Sequence, residues 1–342
     1  MELNQASLKC IKLHQIASNE WDNKSTMVDI NPSRPKICVV IPAYKVKAHI
    51  LEVIGSIGPE VNNIVVIDDA CPEMSGDYVA LNVVDPRVEV IFNKDNLGVG
   101  GAVKVGYRHA LKIGSDIVVK IDGDGQMDSL RISELIEPII SRQAEYTKGN
   151  RFFDIEAIRA MPKIRIFGNL GLSFMAKLST GLWQIFDPNN GFTAISGSIL
   201  KRLNLEKIDN RYFFESDMLF RLSLVNARVV DIHLPAIYGE EESNLIIKRV
   251  LFEFPIKHAR NLFKRIFYTY YLRDFNLASI ELTLGILLSG FGLILGAYNW
   301  IHGIVTNTAT QTGTLILIAI STLVGLQLIL AFLSYDTNNR TK

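Results

Sequence analysis

The sequence predicts an α/β protein: a doubly wound, mainly parallel sheet, followed by amphipathic juxtamembrane helices and two transmembrane helices. Three observations carry this prediction. Apolar, β-branched runs alternate with helical periodicities between residues 36 and 150. Acidic residues stand just past the ends of two of those runs, at Asp68-Asp69 and at Asp122/Asp124. Two long stretches, Leu282 to Ile301 and Gly313 to Ser334, contain no charged side chain.

The elements follow in order. Ile37 to Ile41 is a buried-strand pattern, broken by Pro42-Ala43-Tyr44. Val46 to Ile57 has Ile50, Val53, Ile54 and Ile57 on one helical face. Ile64 to Ile67 and Val88 to Phe92 are the next strands. A glycine turn at Gly98–Gly101 then leads into a helix over Val103 to Ile113. Ile117 to Ile121 is the central strand. Residues 1–34 read as a weakly ordered arm, without the charged start and apolar core of a secretory signal.

Composition narrows the function classes. A net charge of +1 leaves no electrostatic footprint for nucleic acid. The three cysteines have neither metal spacing nor an even count, and read as free thiols in a reducing compartment. The central strand is followed by Asp122, Asp124 and Gln126, separated by Gly123 and Gly125. Hard oxygen donors at a strand end suit Mg2+ or Mn2+, which also take substrate phosphate oxygens as ligands. A polar turn that merely closes the strand is the competing reading. A calcium loop of the EF-hand kind fails because Met127 stands where that loop needs glycine. The Gly98–Gly101 turn is an incomplete dinucleotide fingerprint, with Val103 at its third glycine.

The order IPAY, VIDD, NLGVGGAVKVG and DGDGQ resembles the family 2 glycosyltransferases of GT-A fold over roughly residues 36–245. The DGDGQ form is similar to the branch with dolichol-phosphate mannose synthase and bacterial polyprenyl-phosphate glycosyltransferases. The resemblance implies that Pro42, Ala43 and Tyr44 line the base and ribose pocket. It implies that Asp68 contacts the nucleoside, with Gly100 and Lys104 near it. Asp122 and Asp124 would form the DxD and, with Gln126, hold the divalent metal against the donor diphosphate. The chain departs from the pattern at Lys45-Val46, where the family has Asn-Glu.

Downstream, Lys148-Gly149-Asn150-Arg151-Phe152 resembles the family's glycine-x-arginine-aromatic segment, which places Arg151 against a phosphate. Arg165 lies on a helix leading to Leu178. Either arginine could instead be a solvated surface charge. Asp187-Pro188-Asn189-Asn190-Gly191-Phe192 resembles the element that sets an aspartate near the donor sugar. Phe213-Phe214-Glu215-Ser216-Asp217 opens a helix through Leu224. Its acids Glu215 and Asp217 either favour the helix N-terminus or form the pair in which inverting enzymes carry a base. Glu242-Ser243 resembles the end of the branch's Gly-Glu-Ser element, without the arginine that often precedes it.

Pro255 is placed to start a helix. From there Ile256, Ala259, Phe263, Ile266 or Phe267, and Tyr270 recur at helical spacing, and Lys257, Arg260, Lys264 and Arg265 take the other face. Such a helix lies on an anionic membrane surface or packs on the catalytic domain. Each uncharged stretch is long enough for the roughly 30 Å hydrocarbon core. Gly292 and Gly296, with Ser321 and Gly325, suit close helix contact, and Gln327 reads as an interhelical hydrogen-bonding group. The loop His302 to Thr312 has no Lys or Arg, which places the catalytic domain and both ends in the cytoplasm, on a multi-pass inner (plasma) membrane protein.

The boundaries are therefore 1–34 for the arm, 35–245 for the GT-A domain, 246–276 for interfacial helices, 277–335 for a transmembrane hairpin and 336–342 for a cytoplasmic tail. The expected activity is inverting, metal-dependent transfer from a UDP- or GDP-sugar to a polyprenyl phosphate, within cell-envelope glycan biosynthesis. Transfer to a sugar hydroxyl of a lipid-linked glycan is the alternative. An inactive nucleotide-sugar-binding scaffold is a further one. Expected partners are the donor, the lipid acceptor and the membrane, with no nucleic acid and room for a homo-oligomer.

Overall fold

The computed structural model describes residues 34–152, 163–234 and 247–339, of which Lys36 onward belongs to one compact unit. The N-terminal arm, the Glu242-Ser243 element and the last three residues lie outside the described residues.

The centre is a seven-stranded sheet in the order β3-β2-β1-β4-β6-β5-β7. β1 is Ile37–Ala43, β2 Asn63–Asp68, β3 Val88–Phe92 and β4 Ile117–Lys120. These four pair in parallel. β5 is Tyr146–Asn150, β6 Thr193–Ser196 and β7 Val229–His233. β6 runs antiparallel to both β4 and β5, and β5 and β7 are again parallel. β6 is thus the reversed strand, and it brings the loop before it to the carboxyl end of β4.

The period of two in β1 builds both sides of the sheet. Cys38 and Val40 join one apolar cluster with Val65, Val118, Tyr107 and Leu219. Ile37, Val39 and Ile41 join the other with Ile54, Val66, Val119 and Leu135. Burial on both faces explains why these strands read as continuous apolar runs.

Helices cover the faces. α1 is Ile50–Gly55, shorter than the Val46 to Ile57 periodicity, and α2 is Ser75–Asn82. α3 is Val99–Lys112, which starts inside the glycine turn, after Gly98 at φ 84°. It lies close on β1, because a Cβ at Gly106 would collide with Val40. α4 is Ile132–Ile140, α5 Lys163–Thr180, α6 Gly197–Arg202 and α7 Phe214–Leu224.

α8, Ile247–Phe267, starts earlier than the sequence predicts, and Pro255 lies inside it. It does pack on the catalytic domain, but through its polar stripe. His258, Asn261 and Arg265 are buried, together with Phe254. The apolar stripe, Phe252, Ile256, Phe263 and Phe267, is exposed. His258 Nδ1 meets Ser179 Oγ at 2.8 Å, and Lys257 donates to Asp209 at 2.6 Å. A helix of a water-soluble domain has the opposite polarity.

A π-helical segment, Tyr268–Arg273, leads to α9, Leu277–Thr306, and α10, Thr312–Asn339. Their mean hydropathies reach 1.9 and 2.6, and both are long and apolar enough to cross a membrane. Asn276 caps α9 by accepting from the Ala278 N–H. A Cβ at Gly292 would collide with Thr322, and one at Gly325 with Ser289, so small residues set the helix contact. Gln327, expected at that contact, is exposed instead.

Candidate active site

The parallel strands end side by side, with Ala43 opposite Asp68 in the β1–β2 register. Pro42 and Ala43 are buried in β1, and Tyr44 is exposed just past it. The Asp68 carboxylate accepts from the N–H groups of Cys71 at 2.8 Å and Gly76 at 2.6 Å. Asp69 accepts from Leu97 at 2.9 Å, Gly98 at 2.7 Å and the Asn93 amide at 2.8 Å. Both acids therefore hold the loops that wall this end of the sheet.

Gly100 and Lys104 turn toward the loop before α7. A Cβ at Gly100 would collide with the Asp209 carbonyl and Phe214. Lys104 donates to the Ile208 carbonyl at 2.9 Å, and burial lowers its pKa.

At the end of β4, Lys120 is 1% exposed and lies between two carboxylates. Its Nζ is 2.8 Å from Asp122 Oδ1 and 3.1 Å from Glu215 Oε1. Burial alone would lower the Lys120 pKa, but the two carboxylates outweigh it and hold the ammonium above its ordinary value. Asp124 accepts from the Gln126 N–H at 3.1 Å, with Gly125 at φ 77° between them.

The loop from Asp187 to Phe192 ties the remaining residues together. Asp187 takes both prongs of Arg151, Nε to Oδ2 at 2.7 Å and Nη2 to Oδ1 at 3.0 Å. The Asp187 side chain is 3% exposed, whereas Arg151 keeps 23% of its own open. Asn189 accepts from Ser216 at 3.2 Å, next to Glu215. The Asn190 carbonyl accepts from the fully buried Lys148. Gly191 lies over the Lys120–Asp122 pair, where a Cβ would collide with both side chains. Asp122, Glu215, Asp187 and Arg151 thus belong to one connected site.

Two expected residues stand apart. Asp217 accepts from the Asp209 N–H at 3.0 Å and from Asn261 on α8 at 3.0 Å, and burial raises its pKa. Arg165 falls in the first turn of α5, and its side chain lies outside the described residues.

Lys120 and Lys148 are the residues that reading the sequence missed. Burial pulls Lys148 down to about 8, against the opposing pull of Asp187 and Asp231. Behind it, Asp231 accepts from Asn150 at 2.8 Å and from the Phe186 N–H at 2.9 Å.

Among the described residues no three His, Cys, Asp or Glu side chains gather into a metal-ligating group. The oxygen donors at Asp122, Asp124 and Gln126 fit a different kind of site. Few hard protein ligands suit a cation that keeps waters and takes phosphate oxygens from its substrate.

Comparison with known proteins places this arrangement. The glycosyl transferase family 2 description matches residues 38–204. The UDP-N-acetylglucosamine–dolichyl-phosphate N-acetylglucosaminyltransferase of Methanococcus voltae is 30% identical over 220 residues, covering 60% of this chain and 86% of that one. The chain belongs to glycosyl transferase family 2. The undecaprenyl-phosphate mannosyltransferase of Micrococcus luteus is 27% identical over 211 residues, covering 60% of this chain and 85% of its own. Glucosyl-3-phosphoglycerate synthase of Mycobacterium tuberculosis, solved with Mn2+, UDP-glucose and phosphoglyceric acid, shares the fold. Its TM-score is 0.50 at 19% identity, over 68% of this chain and 79% of that one. The protein is a glycosyltransferase with a GT-A-type mixed sheet and two candidate membrane spans.

Proposed function

We propose that this glycosyltransferase moves a sugar, with inversion, from a nucleotide-sugar donor to a polyprenyl phosphate at the cytoplasmic face of the membrane. The names of the relatives support the substrate classes, and the state of the acids supports the choice of acceptor. Each of the three candidate bases is already engaged. Asp187 is forked by Arg151, Glu215 is paired with Lys120, and Asp217 accepts from a backbone N–H and from Asn261. A sugar hydroxyl needs a base to become a nucleophile, a contribution of about 10²–10⁴-fold. A phosphate monoester, with its second pKa near ~6, is already largely dianionic at neutral pH. It needs cations that bind and orient it.

Arg151 is suited to that task. Asp187 fixes the guanidinium plane, and the partly exposed guanidinium supplies positive charge on the side from which a phosphate would approach. Tyr44 and the loops held by Asp68 and Asp69 form the wall on which the donor nucleoside rests. Asp122, Asp124 and Gln126 would hold Mg2+ or Mn2+, which when bound supplies Lewis-acid stabilisation of the departing diphosphate.

The exposed Phe252, Ile256, Phe263 and Phe267 stripe lies in the lipid interface, and α9 and α10 cross the bilayer. The lysine- and arginine-free connection between them faces outward.

The test is a screen of nucleotide sugars against a polyprenyl phosphate in detergent, read by mass. A glycosyl phosphate lipid that disappears with chelator is the expected product. Transfer only to a glycan hydroxyl overturns the acceptor assignment.

A further inference from the structure

The Lys120 ammonium occupies an unusual place. It is the last residue of β4, on the face that carries Val118 and the cluster containing Tyr107 and Phe214. Next to it in the register, Thr193 and Lys148 continue a buried polar row on that face. Burying an ammonium and a carboxylate costs several kcal/mol for each ion, and a neutral side chain of similar volume is often as stable. Asp122 is shared between the lysine and the metal motif. Gly191 closes one side of the pair, leaving Lys120 buried and Asp122 partly exposed.

We propose that Lys120 is a built-in counter-ion that sets the divalent-metal affinity of the site by competing for Asp122. This rests on the reading of Asp122 as a metal ligand. With Lys120 in place, the Asp122–Glu215 carboxylate pair carries one compensating positive charge, held 2.8 Å from an oxygen that a metal would use. A cation arriving at Asp122 meets that charge at close range in a partly desolvated place. Metal therefore binds weakly to the protein alone and firmly only when the donor diphosphate adds its own negative oxygens. The site is charge-balanced at rest and becomes metal-competent with its substrate.

The experiment measures Mn2+ binding to purified full-length protein in detergent by electron paramagnetic resonance of free Mn2+, without donor. Lys120→Met is expected to tighten binding by about tenfold or more, since one repelling unit charge is removed at short range. Lys120→Arg keeps the charge and is expected to bind as wild type does. Because Lys120→Met leaves Glu215 uncompensated and could fail to fold, Lys120→Met/Glu215→Gln is compared with Glu215→Gln alone. The double variant should bind Mn2+ more tightly than the single one by a similar factor. Unchanged or weaker binding on removal of the lysine in both backgrounds overturns the proposal. If Asp122→Ala leaves Mn2+ binding as it is in wild type, the metal reading itself falls, and the role of Lys120 with it.

Discussion

Arg265 and Asp336 form a two-pronged ion pair where α8 meets the end of α10, with Nη1 to Oδ1 at 2.6 Å and Nη2 to Oδ2 at 3.0 Å. The two side chains are 1% and 0% exposed. Tyr270 donates to the same carboxylate at 2.6 Å, and Arg265 reaches the Leu178 carbonyl at 2.9 Å. One guanidinium thus joins α8, α10 and α5. Removing one partner of such a pair strands a buried charge, which costs roughly 3–5 kcal/mol. Asp336→Asn is therefore expected to lower thermal stability in detergent markedly, and Arg265→Met/Asp336→Leu to recover most of the loss. Equal unfolding temperatures for Asp336→Asn and wild type would contradict the stabilising role.

Arg151 and Asp217 separate binding from scaffolding. Arg151→Ala should reduce kcat/KM for the lipid phosphate by about a hundredfold or more, with Arg151→Lys intermediate, because the charge survives and the fork does not. Asp217→Asn replaces an acceptor by a donor opposite the Asp209 N–H or Asn261. Its cost should appear as about 1–3 kcal/mol of stability, with less than the ~10²-fold loss in turnover that removing a base would bring. Acceptor kinetics in these variants, with unfolding measured alongside, would refute this division if Asp217→Asn proved inactive while as stable as wild type.

Lys148 makes stability depend on pH in a direction that can be stated. Its folded value is near 8 against an ordinary 10.5. Below about 8 the group is protonated in both states, and the folded protein bears the full cost of the buried ammonium. Between about 8 and 10.5 the unfolded chain holds more protons than the folded one, so stability rises with pH. Wild type should gain on Lys148→Met by up to about 3 kcal/mol over that window. Parallel unfolding profiles for the two proteins from pH 7 to 10 would remove Lys148 as the cause.

The proposed orientation is checked by labelling. In a background lacking Cys10, Cys38 and Cys71, a cysteine at Thr308 should react with an impermeant thiol reagent added outside intact cells. A cysteine at Asn339 should stay protected until the cells are opened. The reverse pattern inverts the topology.

The strand ends were legible because apolar runs followed by acids leave a local pattern, as at Ile117 to Asp124. The Asp187 to Phe192 loop was legible through its resemblance, although its partner Arg151 on the other side of β5 was not assigned to it. Lys120 and Lys148 were missed for a physical reason. A lone lysine, at a strand end like Lys120 or mid-strand like Lys148, reads as a solvated charge, and only the loop before the reversed β6 and the start of α7 bring the carbonyl and carboxylate that meet these two. Asp217 is a candidate through the resemblance, and its contact with Asn261, 44 residues further on, leaves no local pattern in the sequence. Periodicity groups Tyr270, which is buried, with exposed Ile256 and Phe263, and Arg260, which is exposed, with buried Arg265, because which side of α8 looks inward depends on polar partners contributed by other elements.

Those partners bear on how the enzyme can be handled. Cutting the chain before α8 would leave Asp209 without Lys257, Asp217 without Asn261 and the Leu178 carbonyl without Arg265. The residues that lose their partners include the segment that carries Glu215. Truncation there would thus take polar partners from α7, the helix that carries Glu215, and from the loop before it. A piece in which these groups keep their partners must run at least through Arg265 of α8.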